Sequence, residues 1–523
     1  MPSYGIDLGT TYSAIACVDN SGTATVINNI TGDSLTPSVV YFESEHNVVV
    51  GRDAVDNIPP SERDKVADAE YIKRMMHCTS KDSDQFFHYE GKVKDPTFLS
   101  SLVLKKLIED ARNAGHNVQD VVITCPAYFN QTAKQHTKDA AVLAGMDANK
   151  VRIITEPAAA ALYYAKSDPA SAGQTILVYD LGGGTFDVTI MKISQDRRKA
   201  EQIHVDGNPL LGGKDWDYRL LRRYAKELGF EDSELDQKAW NKRFEQHCSA
   251  VAGQEEMDIF FAGLGKVIED DKRALSKTDK KTRNLNLGTS RSSLVITRQE
   301  FDDITEDLLE QTFAFTKSVL EEANVPVGCC LLVGGSTFMP QVKKGLQERF
   351  GSKLGEIKEF QPNLAVVLGA AYCAAGMEYT EVLPHSYGLR CYDPSIGSQY
   401  ISNLALKQTA FPVKVESNGF SMVGPSSRAP LAVYESDTTL ERLDNIDTQE
   451  LLVEQAWDFG RIVTPDERIS FVLEISKDGL LELWGRLPNV PDAYIKHRLA
   501  GDLDDEAKQE RQEIAALTIV KNY

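Results

Sequence analysis

Two stretches of the chain place apolar, β-prone runs on either side of a short polar turn. Tyr4-Gly5-Ile6 leads through Asp7-Leu8-Gly9-Thr10-Thr11 into Tyr12-Ser13-Ala14-Ile15-Ala16-Cys17-Val18. Ile176-Leu177-Val178-Tyr179 leads through Asp180-Leu181-Gly182-Gly183-Gly184-Thr185-Phe186-Asp187 into Val188-Thr189-Ile190-Met191. Each reads as a hairpin whose turn carries an Asp, glycine and a hydroxyl, and the repetition predicts two similar lobes. Further strands and helix-like segments follow, among them Ser100–Gly115, Thr132–Gly145, Asp215–Leu228 and Arg298–Ala323, a mixture that predicts an α/β architecture. Between Leu220 and Leu275 the chain is charged and helix-rich, with Trp240, Phe244, Phe260 and Phe261 as candidate buried anchors. It reads as a helical insertion spanning about residues 218–290.

The pattern changes near Gly376. After Pro384, short β-prone runs alternate with turn signals, as in Phe411-Pro412-Val413-Lys414-Val415 and in Ile469–Ile475, which Lys477-Asp478-Gly479 joins to Leu480-Leu481-Glu482-Leu483-Trp484. That predicts a separate all-β domain over residues 385–500, reached from the α/β unit at 1–378 through a short linker at 379–384. Residues 501–523, rich in Asp, Glu, Lys and Ala, predict a short C-terminal helix.

A length of 523 residues exceeds one ordinary core. With 42% hydrophobic and 26% charged residues the composition is that of a folded globular protein. The formal net charge of −20 opposes the basic surface that nonspecific nucleic-acid binding requires, so no nucleic-acid partner is expected. No basic start followed by an apolar segment is present, which predicts a cytoplasmic protein without a membrane partner. The eight Cys show no CxxC spacing, and Cys125, Cys329 and Cys330 read as small buried hydrophobes.

Consecutive glycines can turn backbone N–H groups toward a phosphate by tolerating positive φ, and Gly182, Gly183 and Gly184 lie between Asp180 and Asp187 with Thr185 alongside. The common alternative, a P-loop, is absent: Leu211-Gly212-Gly213-Lys214 continues to Asp215 instead of Ser or Thr. Asp7 and Asp180 are hard oxygen ligands suited to Mg²⁺ through its waters. Glu156 precedes Pro157 and an alanine run, so it opens a helix whose dipole favours a carboxylate. Glu269, Lys272, Arg273 and Ser276 recur at one-turn spacing and share one helix face.

Together with Val333-Gly334-Gly335-Ser336-Thr337, the two Asp-x-Gly turns resemble the three signatures of the Hsp70 family. Thr36-Pro37-Ser38, Ile72-Lys73-Arg74, Pro126-Ala127-Tyr128-Phe129-Asn130 and Glu156-Pro157-Ala158-Ala159-Ala160-Ala161 extend the likeness. The resemblance implies a two-lobed, actin-like ATPase domain of duplicated ribonuclease H-like lobes, followed by a small β-sandwich. It implies ATP/ADP and Mg²⁺ as cofactors, with K⁺ a further candidate. Lys73, Glu156, Asp180, Thr185 and Asp187 take the catalytic positions. Gly9, Thr10, Thr11 and Tyr12, the glycines 182–184, Gly212 and Gly213, and Gly334, Gly335 and Ser336 surround the nucleotide. Glu269, Lys272, Arg273 and Ser276 hold ribose and adenine. Implied partners are unfolded polypeptide clients, a J-domain co-chaperone and a nucleotide-exchange factor.

The chain departs from the family pattern at Phe338, where Arg is usual, and at Asn363-Leu364, where an acidic pair is usual. Phe338 is either a base-stacking ring or a core residue. Leu389, Cys391, Tyr392, Ala429 and Leu431 are the candidate peptide-pocket positions, and Pro430 predicts an edge or distorted strand. The Leu-rich family linker is reduced to Val382-Leu383, which leaves few contacts for interdomain coupling and, without a helical lid, predicts rapid peptide release. Two function classes follow: an ATP-hydrolysing peptide chaperone, and a nucleotide-sensing adaptor with low turnover and one fixed partner. A sugar kinase or filament-forming ATPase fits the signatures and the appended β domain less well.

Overall fold

The computed structural model describes residues 3–496 except 45, 57, 60, 61, 63, 64, 69–71, 79, 232–236 and 289, together with residues 518–519. The hairpin Ser3–Asp7/Tyr12–Val18 sits in a sheet beside the parallel strands Val121–Cys125 and Val151–Thr155. The hairpin Thr175–Leu181/Phe186–Ile193 sits beside the parallel strands Cys329–Val333 and Glu356–Glu359. Both sheets therefore run two parallel neighbours on one side of a hairpin and an antiparallel strand on the other.

Small residues bring the lobes together. Ala158, Ala159, Ala160 and Ala161 of the helix Glu156–Ser167 are buried in one core with the helix Ala365–Ala374. A Cβ on Gly369 would run into the Ala159 carbonyl, and one on Gly5 into the backbone of Ala370 and Ala371. Close helix packing thus sets the floor of the cleft between the sheets.

Several helices start earlier than their apolar periodicity indicates, because polar caps open them. Asp95 accepts from Phe98 N at 2.9 Å ahead of Pro96–Asn113, and Asn130 accepts from Ala133 N at 2.9 Å ahead of Gln131–Leu143. The single helix expected over Arg298–Ala323 is two, Arg298–Ile304 and Glu306–Ala323. Between them the Thr305 hydroxyl turns back to Phe301 O at 2.8 Å. The insertion is helical only in its first part, Gln237–Ala252 and Gln254–Leu275. Lys280–Leu287 and Ser290–Thr297 pair as a hairpin that buries Leu285, Leu287, Leu294 and Ile296, a period-two pattern that local charge obscured. Trp240 and Phe244 are buried, with Phe260 and Phe261 packed against the same core.

The β domain carries a five-stranded and a four-stranded sheet. Their inward residues, among them Leu389, Val433, Trp457, Phe471 and Leu483, form one shared core. Pro430 pairs with Ala456 in a stretch of Ser426–Ser436 that has no partner on its other side among the described residues, where a missing N–H costs no ladder bond.

The linker makes more contacts than its length suggests. Glu378–Val382 is a strand that continues the second lobe's sheet and pairs with Ala410–Phe411 of the β domain. Val382 N donates to Gln202 Oε1 at 2.9 Å, and Tyr379 OH donates to Ile153 O at 2.9 Å. The backbone ladder and these two buried polar contacts hold the linker against both units. The helix expected over 501–523 lies outside the described residues except for Thr518–Ile519, which pair in parallel with Asn47–Val48.

Candidate functional site

A cleft of about 840 Å³ opens between the lobes. Its base is built by the two hairpins, which aim their turns at one another. Asp7 ends the first strand and accepts from Thr124 Oγ1 at 3.0 Å. Asp180 lies opposite Asp187 across the second hairpin. Lys73 and Glu156, both buried, form an ion pair between these carboxylates.

None of Gly182, Gly183 and Gly184 has positive φ, so the conformational reason expected for them does not hold. They are glycines because the loops nearly touch. A Cβ on Gly183 would strike Thr11 Oγ1, one on Gly184 would strike the Thr10 side chain, and one on Gly212 would strike the Gly184 backbone. Gly213 N donates to Gly182 O at 2.9 Å and Ser336 Oγ to the same oxygen at 2.8 Å, which fixes this loop against its neighbours. Gly334 alone among the site glycines has φ of +82°.

Burial and crowding dominate the electrostatics. Burial first, then the Glu156 charge, pushes Asp7 up to about 7 and Asp187 up to about 7, and raises Asp180 well above the usual carboxylate range. Burial opposes the charge on Lys73, but Glu156 and Asp7 more than offset it and raise its pKa. Asp187 Oδ1 accepts from Tyr128 N at 2.9 Å. Its Oδ2 and Asp180 Oδ2 are buried without a hydrogen-bond partner among the described residues. Such unsatisfied oxygens beside a carboxylate cluster fit a divalent cation with its waters. Among the described residues no three His, Cys, Asp or Glu side chains form a direct ligand set, so the fit is to a hydrated ion.

On the upper wall, Glu269 and Arg273 pair at 2.5 Å, and Arg273 Nη2 donates to Tyr12 OH at 3.1 Å. Lys272 Nζ donates to Gly213 O at 2.8 Å and meets Asp217 at 2.7 Å, so it braces the loop below. Ser276 caps the helix beneath them and lines the cleft with Gly335 and Asn363. Phe338 is 44% exposed on the rim, which removes the core-residue reading. The expected residues Gly9, Thr10, Thr185 and Gly334 also line the cleft, whereas Asp187, Gly184, Gly212 and Gly213 stand behind it.

Sequence reasoning passed over Lys214 and Asp217, which line the cleft as well. Burial opposes the Lys214 charge, while Asp68 and Asp217 hold its pKa up. The run Leu211-Gly212-Gly213-Lys214 carried the signal but was weighed only as a failed P-loop. In the β domain, Leu389 and Leu431 lie in the sandwich core, Cys391 and Ala429 pack against it, and Tyr392 is 45% exposed.

The family model described as Hsp70 protein matches residues 3–439. The chain belongs to the Hsp70 family. It is 36% identical over 388 residues to the chaperone protein DnaK of Thermotoga neapolitana, covering 72% of this chain and 60% of that protein. The DnaK chaperones of Thermotoga petrophila and Thermotoga maritima are each 35% identical over the same shares. This Hsp70 chain thus spans about 60% of the length of the curated relatives it matches. Among its described residues no helix is long and apolar enough to cross a membrane.

Proposed function

We propose that this Hsp70 protein hydrolyses ATP in the interlobe cleft and uses the state of the nucleotide to control an extended, unfolded polypeptide held by the β domain. The observation that carries the reading is the buried Lys73–Glu156 pair set among Asp7, Asp180 and Asp187 at the base of the cleft that the two hairpin turns line. Thr10, Thr11 and the 182–185 backbone hold the β- and γ-phosphates. Asp7 and Asp180 would hold a hydrated Mg²⁺, which would supply positive charge to neutralise the phosphates. Lys73 faces the γ-phosphate as a compact cation, Thr185 on the cleft surface positions the attacking water, and the Asp187 carboxylate set behind it favours loss of that water's proton. Peptide main chain pairs with a sheet edge, as extended ligands do.

Clients, a J-domain co-chaperone and an exchange factor are the partners this reading implies. The test is ATP turnover by the full chain with and without an unfolded peptide. Slow turnover that the peptide changes supports the reading. Nucleotide binding without turnover, together with no peptide binding, supports the fixed-partner adaptor instead.

A further inference from the structure

A second concentration of buried ionisable groups lies where the β domain meets the helix Gln131–Leu143. Glu435 and Glu450 are direct cross-strand partners at the ends of Ser426–Ser436 and Glu450–Val463, an arrangement that like charges disfavour. Both reach the same helix start on the other domain. Asn130 Nδ2 donates to the two Glu450 oxygens at 3.0 and 3.2 Å, and Gln131 N donates to Glu435 Oε2 at 3.2 Å. Glu435 is only 4% exposed.

The surroundings do little to neutralise two charges. His385 Nε2 lies 3.5 Å from Glu435 Oε1, and the Tyr387 hydroxyl faces Glu435. Lys134 stands on the next turn of the helix, over the Phe411 ring at 5.7 Å. Lys407 pairs with Asp437 at 2.7 Å, and Tyr128 and Asp206 close the far side. His77 and Asp82 face Glu450 from the first lobe.

We propose that Glu435 and Glu450 are a proton-holding clasp: the β domain docks on the ATPase lobe with one proton held on Glu435 beside the cross-strand Glu450, and loss of that proton loosens the docking. A protonated Glu435 donates toward His385 Nε2 and removes the like-charge contact. Burial, with Glu450 adding to it, pushes Glu435 up to about 8 in the docked arrangement, and burial also raises Glu450. Undocked, both carboxyls regain water and the ordinary value of about 4.3. The docked state therefore binds the extra proton. Docking is favoured below about 8 and falls as pH rises through that value, by about tenfold in its equilibrium constant between pH 7 and pH 9. His385 works in the opposite sense, because burial lowers it to about 4 and docking must strip its proton in acid. The two effects offset below about pH 6.5, so the loss is one-sided, toward alkaline pH.

The experiment follows protease cleavage of the linker, residues 378–383, in the full chain from pH 6.5 to 9.5. Unfolded casein serves as the control for protease activity. Normalised linker cleavage is expected to rise about tenfold between pH 7 and pH 9 without new cuts elsewhere. Glu435→Gln, which keeps a polar amide but cannot titrate, should flatten the rise. Glu474→Gln, on the other sheet, should leave it as in the parent. A parent profile that stays flat, or an equal rise in Glu435→Gln, overturns the clasp. Should Glu435→Gln fail to fold by circular dichroism, Glu450→Gln, which removes the like charge but leaves Glu435 buried, should move the rise to lower pH, and a rise at the parent's pH overturns the clasp. No ATP turnover enters the readout, so the result stands apart from the catalytic reading.

Discussion

Thr155 gives both of its donors to the linker. Its backbone N–H and its hydroxyl meet Glu381 Oε1 at 2.9 and 2.6 Å. Thr155 is the cap of the helix that Glu156 opens, yet its side chain does not cap that helix. The linker has taken the hydroxyl. One carboxylate thus connects the interdomain strand to the residue preceding the Glu156 that pairs with Lys73.

Glu381→Ala should therefore leave the Thr155 N–H unpaired in a buried place and loosen Glu156. The expected outcome is a several-fold fall in kcat with little change in nucleotide affinity, seen by steady-state turnover beside calorimetry. Linker cleavage should rise in the same variant. Unchanged turnover would confine Glu381 to a structural role. Lys138→Ala, which removes the 2.8 Å pair with Asp478, should narrow any difference in peptide release between ATP and ADP, measured with a fluorescent unfolded-peptide tracer.

Lys73→Ala and Thr185→Ala should each lower single-turnover ATP hydrolysis substantially while nucleotide still binds. Lys73 is the cation paired with Glu156 at the cleft floor, and its loss removes stabilisation of the transferring phosphoryl. Wild-type rates in both variants would move the chemistry elsewhere in the cleft.

Phe338→Ala should weaken ATP binding by about 1 kcal/mol, the scale of an aromatic stacking pair. The ring is exposed and lines the same cleft as the Arg273–Tyr12 contact. Equal affinities by isothermal titration would leave the base held from the Arg273 side alone.

Gly369→Ala should lower the thermal midpoint, because the added methyl meets the Ala159 carbonyl on a facing helix. Overpacking of this kind costs about 1–3 kcal/mol. A melt followed by circular dichroism checks it. A midpoint equal to that of the parent would mean that the two helices separate without cost.

The sequence by itself carried the two hairpin turns, their repetition in two lobes, and most of the acidic and basic groups that line the interlobe cleft. These are local signals, fixed by turn chemistry and strand periodicity within a dozen residues. It did not carry the reason for Gly182–Gly184, because the constraint comes from Thr10 and Thr11, which are distant in the chain and adjacent only across the cleft. Nor did it carry the linker's weight. Glu381 acquires its role from Thr155, and Glu435 and Glu450 acquire theirs from Gln131 and Asn130. Burial of a carboxylate, and the partner that then satisfies it, depend on which surfaces meet, and only the tertiary structure decides that.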